Sequence, residues 1–391
     1  MRSTPDSKIR VLHVITGLNT GGAEMVLYRL IEGMDRSEFA NSVISLTSIG
    51  PIGDQIRALG APVRALGLSR RSPNPLKLLE LASWLRRSRP DVIQSWMYHA
   101  DLLAGLAAKM AGGYRVVWGI RHAKPLSNTM NSRTIRVARL CARLSHRLPA
   151  RIVYCSEAAH AAHARIGYAD DRFSVITNGY DLDHFKPDAG AGSRLRKDLD
   201  IQPESQVIGL VARFHPDKDH RNFVSAAAEL AAARDDVHFA LCGTDVNWDN
   251  RELAGWIEDT GYKERFHLLG NLSNANGVTA GFDIATLSSV TEAFPNVVGE
   301  AMACGVPCVV TDVGDAALIV GETGKVVPPR NPDALAAAWS ELLDLPENER
   351  KALGERARER IARYYDLNSM IKRYEALYRE VAGDVRPGRI D

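Results

Sequence analysis

Ile284-Ala285-Thr286-Leu287, then Ser288-Ser289-Val290-Thr291-Glu292-Ala293-Phe294, then Pro295-Asn296-Val297-Val298-Gly299-Glu300-Ala301-Met302-Ala303-Cys304-Gly305, spells a strand, a loop and a helix in that order. Pro295 suits the first turn of a helix, where its missing N–H removes no hydrogen bond, and Gly305 suits the position just past the end. A helix that follows so closely on an apolar strand is half of a parallel strand-helix-strand unit. Its amino end carries unpaired N–H groups and a positive dipole, a ready diphosphate site. Glu292 in the loop and Glu300 more than one turn inside the helix can each accept hydrogen bonds from neighbouring hydroxyls, as sugar or ribose diols offer.

The same alternation runs along the whole chain. Strands are predicted at Ile9–Ile15, Ser42–Leu46, Asp91–Ser95, Arg115–Ile120, Arg151–Cys155 and Phe173–Thr177. In the second half they fall at Gln206–Val211, Val237–Cys242, Phe266–Leu269, Ile284–Leu287, Pro307–Thr311 and Lys325–Val327. Between them lie Ala- and Leu-rich amphipathic stretches such as Ala23–Met34, Leu76–Arg87, Asp101–Met110 and Asn222–Ala233. Such a chain is α/β, with parallel sheets covered by helices on both faces. Lys186–Ser193, rich in Pro, Gly and Ser, reads as the linker between two doubly wound, Rossmann-like domains facing a central cleft, with ligands at the carboxyl ends of the strands. The domains expected are 1–185 and 186–367, with a terminal helix over 368–391 packing back on the first.

The chain has 391 residues, enough for two cores, and no apolar run long enough to span a membrane. Its first eight residues are polar, so no signal-peptide core is expected. Five scattered cysteines form no C-x-x-C pair, which points away from structural zinc and disulfides and toward the reducing cytosol. The formal net charge of +2 hides an asymmetry. Residues 1–180 hold 25 basic against 12 acidic residues, a balance of +13, and the remainder carries −11. A first half facing something anionic follows: nucleic acid, an anionic leaflet or a phosphorylated acceptor. Arg133, Arg136, Arg139, Arg143 and Arg147 recur at helical spacing, beside an apolar stripe of Val137, Leu140, Cys141, Leu144 and Leu148. This is either a solvated face or an interfacial helix on anionic lipid.

Two more clusters sit after strands. Arg213 and Lys218 follow Gln206–Val211, and two cations there would clamp a diphosphate and stabilise it as it leaves. Gly17-Leu18-Asn19-Thr20-Gly21-Gly22-Ala23-Glu24 opens the first half, and adjacent glycines let backbone approach a phosphate; no G-x-G-x-x-G or Walker sequence is present. His99 and His122 each follow a first-half strand. Asp181-Leu182-Asp183 and Asp198-Leu199-Asp200 mimic a metal-binding D-x-D but read as turn and cap residues. No histidine spacing suits a metal.

These stretches, with Asn178-Gly179-Tyr180-Asp181 and Thr311-Asp312-Val313-Gly314, resemble the retaining, nucleotide-sugar-dependent glycosyltransferases of group one, family four, which have the two-domain GT-B fold. Glu292 and Glu300 with Phe294, Pro295, Asn296 and Val297 between them carry the most specific part of the likeness. The resemblance implies that Arg213 and Lys218 bind the diphosphate, Glu300 the ribose and Glu292 the sugar hydroxyls. It also implies that Gly22 backs the diphosphate, that His122 sits at the donor sugar near the acceptor, and that Gly21 and His99 bind substrate. Ala293 stands where the family usually has Gly, Trp96 replaces a frequent His, and Asp101 a frequent Asn. The expected reaction is metal-independent, cofactor-free transfer from a UDP-sugar to a polyprenyl-diphosphate-linked or saccharide acceptor, in cell-surface polysaccharide assembly. The expected location is the cytoplasm, at the inner face of the membrane, with the five arginines against anionic lipid and no nucleic-acid partner. The alternatives are a soluble small-molecule acceptor, a nucleotide-sugar epimerase of the same fold, and an idle binding module.

Overall fold

The computed structural model describes residues 8–69, 74–123, 125, 131–272 and 275–383. The polar opening residues 1–7 and the end of the predicted tail helix, 384–391, lie outside this set. The chain divides into two compact units: Tyr180–Asp366, and Met1–Gly179 together with Leu367–Asp391.

The first unit is built on a seven-stranded sheet: β1 (Ile9–Ile15), β2 (Phe39–Ser45), β3 (Val63–Ala65), β4 (Val92–Trp96), β5 (Val116–Ile120), β6 (Arg151–Tyr154) and β7 (Phe173–Val175), in the spatial order β3-β2-β1-β4-β5-β6-β7. Every pairing is parallel. The apolar runs predicted as strands are buried on both faces, as a parallel sheet requires. β3 was not expected. It is three residues at the sheet edge, Val-Arg-Ala, and pairing with Val43–Ser45 rather than its own pattern makes it a strand.

The second unit has six parallel strands: β8 (Gln206–Val211), β9 (Val237–Cys242), β10 (Phe266–Leu268), β11 (Ile284–Leu287), β12 (Cys308–Thr311) and β13 (Gly324–Val327), in the order β10-β9-β8-β11-β12-β13. In both sheets the winding reverses beside the unit's first strand, between β1 and β4 and between β8 and β11. Chain segments leaving these strand ends diverge, and the crevice so formed is where such folds bind ligands.

The predicted linker is not irregular throughout. Asp188 Oδ1 accepts the Gly190 N–H at 3.0 Å, a turn that leads directly into a helix over Ala191–Asp198, so Ala191–Ser193 are helical. The stretch lies wholly within the second unit.

The helix Leu367–Gly383 belongs to the first unit, where Met370, Ile371, Tyr374, Leu377, Tyr378 and Val381 join the core under β1, β2 and β4. Tyr378 donates its hydroxyl to Gln94 Oε1 at 3.2 Å, and Trp96 stacks on Tyr374 with centroids 6.0 Å apart.

Candidate active site

In the second unit, the β8/β11 switch point joins two motifs that are far apart in sequence. After β8 the chain forms a single 3-10 turn, Pro216–Lys218; after β11 it runs through Ser288–Pro295 into the helix Asn296–Ala303. The two loops are tied together by their backbones. The Val290 N–H donates to Asp217 O at 2.8 Å, and the Ser288 hydroxyl donates to Lys218 O at 2.8 Å. On this frame the Lys218 ammonium pairs with Glu292 Oε1, which also accepts the Ser289 hydroxyl at 2.8 Å. Thr311 Oγ1 in turn donates to Ser289 O at 2.7 Å from a buried position. Lys218 and Glu292 are only partly exposed, which strengthens their attraction relative to a surface pair.

The Glu292 loop is held from below by Gly314. Its φ of +56° is left-handed, and a Cβ there would lie 2.4 Å from Glu292 O and 2.6 Å from Ala293 O. Asp315 donates its backbone N–H to Ala293 O at 3.0 Å. The Thr311–Gly314 segment is thus the floor of the loop. Ala293 itself is buried.

Pro295 is the residue before the helix, with extended backbone, so it sits one position earlier than the first-turn place expected for it. Asn296 and Val297 open the helix and are half-buried. Glu300 lies in its second turn, also half-buried, and Gly305 (φ +75°) ends the segment as predicted. Phe294 is buried between two tyrosines: it stacks on Tyr180 (centroids 6.4 Å, planes 22° apart) and meets Tyr365 edge-on at 5.5 Å. Tyr180 in turn lies over Gly299, where an added Cβ would come within 2.1 Å of its ring. Arg213 stands exposed at the carboxyl end of β8. Tyr180 falls in a stretch quoted from the sequence but without a role, and Ser288, Ser289 and Tyr365 were given none; among these three only the Ser-Ser pair directly after a strand carried a signal.

The first-unit candidates gather at the carboxyl ends of β1, β4 and β5. Gly21 precedes and Gly22 begins the helix Gly22–Gly33, with Glu24 in its first turn. His99 is the second residue of the helix Tyr98–Ala111, and His122 follows β5; both are half-buried. Asp101, on the same helix, is completely buried. Its Oδ1 accepts the Ser95 hydroxyl at 2.7 Å and the Gly119 N–H at 3.2 Å, and burial pushes its carboxyl well above the usual carboxylate range. Arg121 lies over the Trp96 ring at 5.3 Å and donates to Asn178 Oδ1 at 2.5 Å.

The arginine stripe lies on the helix Ser132–Leu144, capped by Asn131, which accepts the Arg133 N–H at 2.8 Å. Arg133, Arg136, Arg139, Arg143 and Arg147 are all exposed, Arg147 in the turn beyond the helix. The apolar stripe is narrower than expected. Ala138, Cys141 and Ala142 are buried against the Tyr98–Ala111 helix, whereas Leu140 is exposed beside Arg139 and Arg143.

The D-x-D stretches are structural. Asp181 Oδ1 accepts the N–H groups of Asp183 (2.9 Å) and His184 (3.1 Å), closing a turn, and Asp198 ends a helix. Among the described residues no three His, Cys, Asp or Glu side chains gather where a metal ion could be held, and no helix is long and apolar enough to cross a membrane. All five cysteines are buried and none is joined in a disulfide.

Two family models match this chain: "Glycosyltransferase Family 4" over residues 20–184 and "Glycosyl transferases group 1" over residues 205–345. The chain is 27% identical over 328 residues to EpsF of Bacillus subtilis, covering 78% of this chain and 80% of that one. It is 26% identical over 330 residues to the UDP-Gal:alpha-D-GlcNAc-diphosphoundecaprenol alpha-1,3-galactosyltransferase of Escherichia coli, covering 82% and 84%. Among solved structures, Anabaena HepE in complex with UDP superposes with a TM-score of 0.81 at 21% identity, over 95% of this chain and all of that one. That last likeness is one of fold.

Proposed function

This chain belongs to the group 1, family 4 glycosyltransferases, which have the GT-B fold, and from that premise we propose that it moves a sugar, with retention, from a UDP-sugar to a lipid-linked saccharide acceptor. The observation that carries the proposal is the Lys218–Glu292 pair at the β8/β11 switch point, beside Arg213 and the amino end of the Asn296–Ala303 helix. Two cations and a row of helix N–H groups match the two negative charges of a diphosphate. Bond breakage leaves an extra charge on that diphosphate, so groups already placed there stabilise the transition state more than the ground state. In this scheme Arg213 and Lys218 carry the charge that a metal ion carries in other transferases, and the reaction needs no metal.

Lys218 and Ser289 hold the Glu292 carboxylate in one orientation, toward the donor sugar's hydroxyls. Glu300, one turn deeper, takes the ribose. In the first unit, His122 sits at the donor sugar near the acceptor and His99 contacts substrate, with Gly21 and Gly22 offering backbone to phosphate. Two observations support a polyprenyl-diphosphate-linked acceptor: the +13 balance of residues 1–180 and the diphosphoundecaprenol substrate in the name of the E. coli relative. The same charge, with five exposed arginines around Leu140, supports docking of the first unit on an anionic membrane surface.

The test is a panel of nucleotide diphosphate sugars, with and without a short prenyl-diphosphate-linked saccharide, in the presence of a metal chelator. Transfer from a UDP-sugar that depends on the acceptor and survives chelation is the expected result. Donor consumption without acceptor would move the assignment to an epimerase. Transfer abolished by chelation would overturn the metal-free scheme. A thermal shift with UDP at about 100 times its dissociation constant, worth about 2.7 kcal/mol, reports donor binding separately.

A further inference from the structure

His122 does not stand alone. Its imidazole lies flat on the ring of Tyr98, with centroids 5.2 Å apart and planes 26° from parallel. Tyr98 is 1% exposed, and its hydroxyl lies 2.7 Å from Nε2 of the fully buried His163. His163 Nδ1 lies 2.6 Å from the backbone oxygen of Ala159, one turn earlier on the helix Glu157–Ala164. Burial, and next the nearby His122, hold the His163 pKa down at about 4, so this ring is neutral in ordinary buffers. A neutral imidazole whose Nδ1–H donates to a carbonyl has only Nε2 left to accept, so the Tyr98 O–H is the donor in that bond. Ala159 O, His163 and Tyr98 therefore form a single-sense chain of hydrogen bonds ending under His122. Tyr168 closes the box edge-on to His163 at 4.9 Å, and Tyr154 packs on it at 5.6 Å.

The backbone is bent to put Tyr98 there. Met97, between β4 and the Tyr98–Ala111 helix, has φ +73°, a left-handed conformation that strains a non-glycine residue. It is pinned on both sides: its N–H donates to Gly119 O at 2.9 Å and its oxygen accepts the Asp101 N–H at 2.9 Å. The strained residue turns the first side chain of the helix inward, beneath the end of β5 from which His122 emerges.

We propose that Tyr98 is a positioning residue for His122: its buried ring fixes the plane in which the His122 imidazole meets the reacting sugar. This rests on the placement of His122 in the chemistry proposed above. A face held by stacking fixes the plane of the ring and so the direction in which its nitrogens point before the donor arrives. Misplacement of such a group costs roughly 10–100-fold in rate while substrate affinity, governed by other residues, stays the same.

The experiment compares Tyr98→Phe, Tyr98→Met and His122→Ala for turnover, donor KM, UDP affinity and melting temperature. Tyr98→Phe keeps the ring; the flexible Met refills the space without a flat face. Turnover of Tyr98→Met is expected to fall roughly 10–100-fold with donor KM and UDP affinity unchanged, and Tyr98→Phe to restore most of it. A direct measurement, independent of the variants' stability, is the contact between His122 and Tyr98 ring protons by NMR in selectively protonated protein. It is expected in the wild type and in Tyr98→Phe. Absence of that contact in the wild type overturns the inference, as does wild-type turnover in Tyr98→Met. So does equal loss of turnover and melting temperature in the Phe and Met variants, which marks a packing role alone. If His122→Ala is inactive and Tyr98→Met is active, only this inference falls. If His122→Ala retains full turnover, His122 leaves the chemistry and the inference falls with it.

Discussion

Lys218 and Glu292, 74 residues apart in sequence, are partners across the β8/β11 switch point, and Ser289 fixes the same carboxylate oxygen. Each residue is the other's neutralising charge until an anionic ligand enters. On the proposed reading, a diphosphate arriving at Lys218 shares the ammonium with Glu292 and offsets part of that pairing.

Lys218→Ala is therefore expected to lower turnover by roughly 10²–10³-fold, the usual loss for a donor to developing charge. Arg213→Ala should fall in the same range. Steady-state kinetics at saturating donor checks both; near-wild-type turnover in the two single variants would remove them from the diphosphate.

Glu292→Gln keeps an oxygen for Ser289 and loses the charge. Turnover should drop while affinity for free UDP stays at or above the wild-type level, because UDP lacks the donor-sugar hydroxyls that Glu292 would hold and the charge competing for Lys218 is gone. Glu300→Ala should do the reverse, weakening UDP binding in calorimetry with a smaller effect on turnover at saturation.

Gly299→Ala sets a methyl group within 2.1 Å of the buried Tyr180 ring. Tyr180 cannot swing into solvent, so it must displace Phe294 and the loop beyond. Overpacking of this kind costs about 1–3 kcal/mol, or a melting temperature several degrees lower. An unchanged melting temperature in scanning calorimetry would show that the ring has room.

Asp101 gives a pH signature. Its pKa is raised in the folded chain, so the folded state holds a proton that the unfolded state gives up. Its contribution to stability is complete below the ordinary carboxylate pKa and is lost as pH rises through the raised value. Asp101→Asn cannot lose that proton. The melting temperature of the variant minus that of the wild type should grow as pH increases from 5 to 9; a constant or shrinking difference refutes the buried neutral acid.

Replacing Arg136, Arg139 and Arg143 with Gln should release the protein from anionic vesicles by about 3 kcal/mol, at about 1 kcal/mol per charge. Co-sedimentation at low and high salt decides this, since salt screens such contacts. Wild type that ignores anionic vesicles at low salt would make the stripe a solvated face.

Apart from β3, the strands were legible in the sequence to within three residues at their ends, because buried parallel strands are continuous β-branched runs. β3 was not, because a three-residue edge strand containing an arginine has no pattern of its own and exists only through its partner. The Lys186–Ser193 stretch misled by composition: Pro and Gly mark a turn, but here the turn is the start of a helix. Individual candidate residues could be named from motifs, yet the ties between them could not. No spacing rule links Ser289 to Glu292 and Lys218, or Tyr98 to His163, since those pairings depend on which strands lie side by side.

The Leu367–Gly383 helix carries a consequence for synthesis. Residues Tyr180–Asp366 form a continuous unit and can fold as soon as they have emerged. The first unit, though begun earlier, lacks Tyr374 and Tyr378 against β1 and β4 until that last helix has been made. The order of completion is thus the reverse of the order of translation. For the whole time the second unit is being made, the nascent first unit exposes the apolar face that this helix will cover. A chain cut short before Leu367 would carry every residue of the proposed donor site and still leave the ribosome without the helix that packs against β1 and β4.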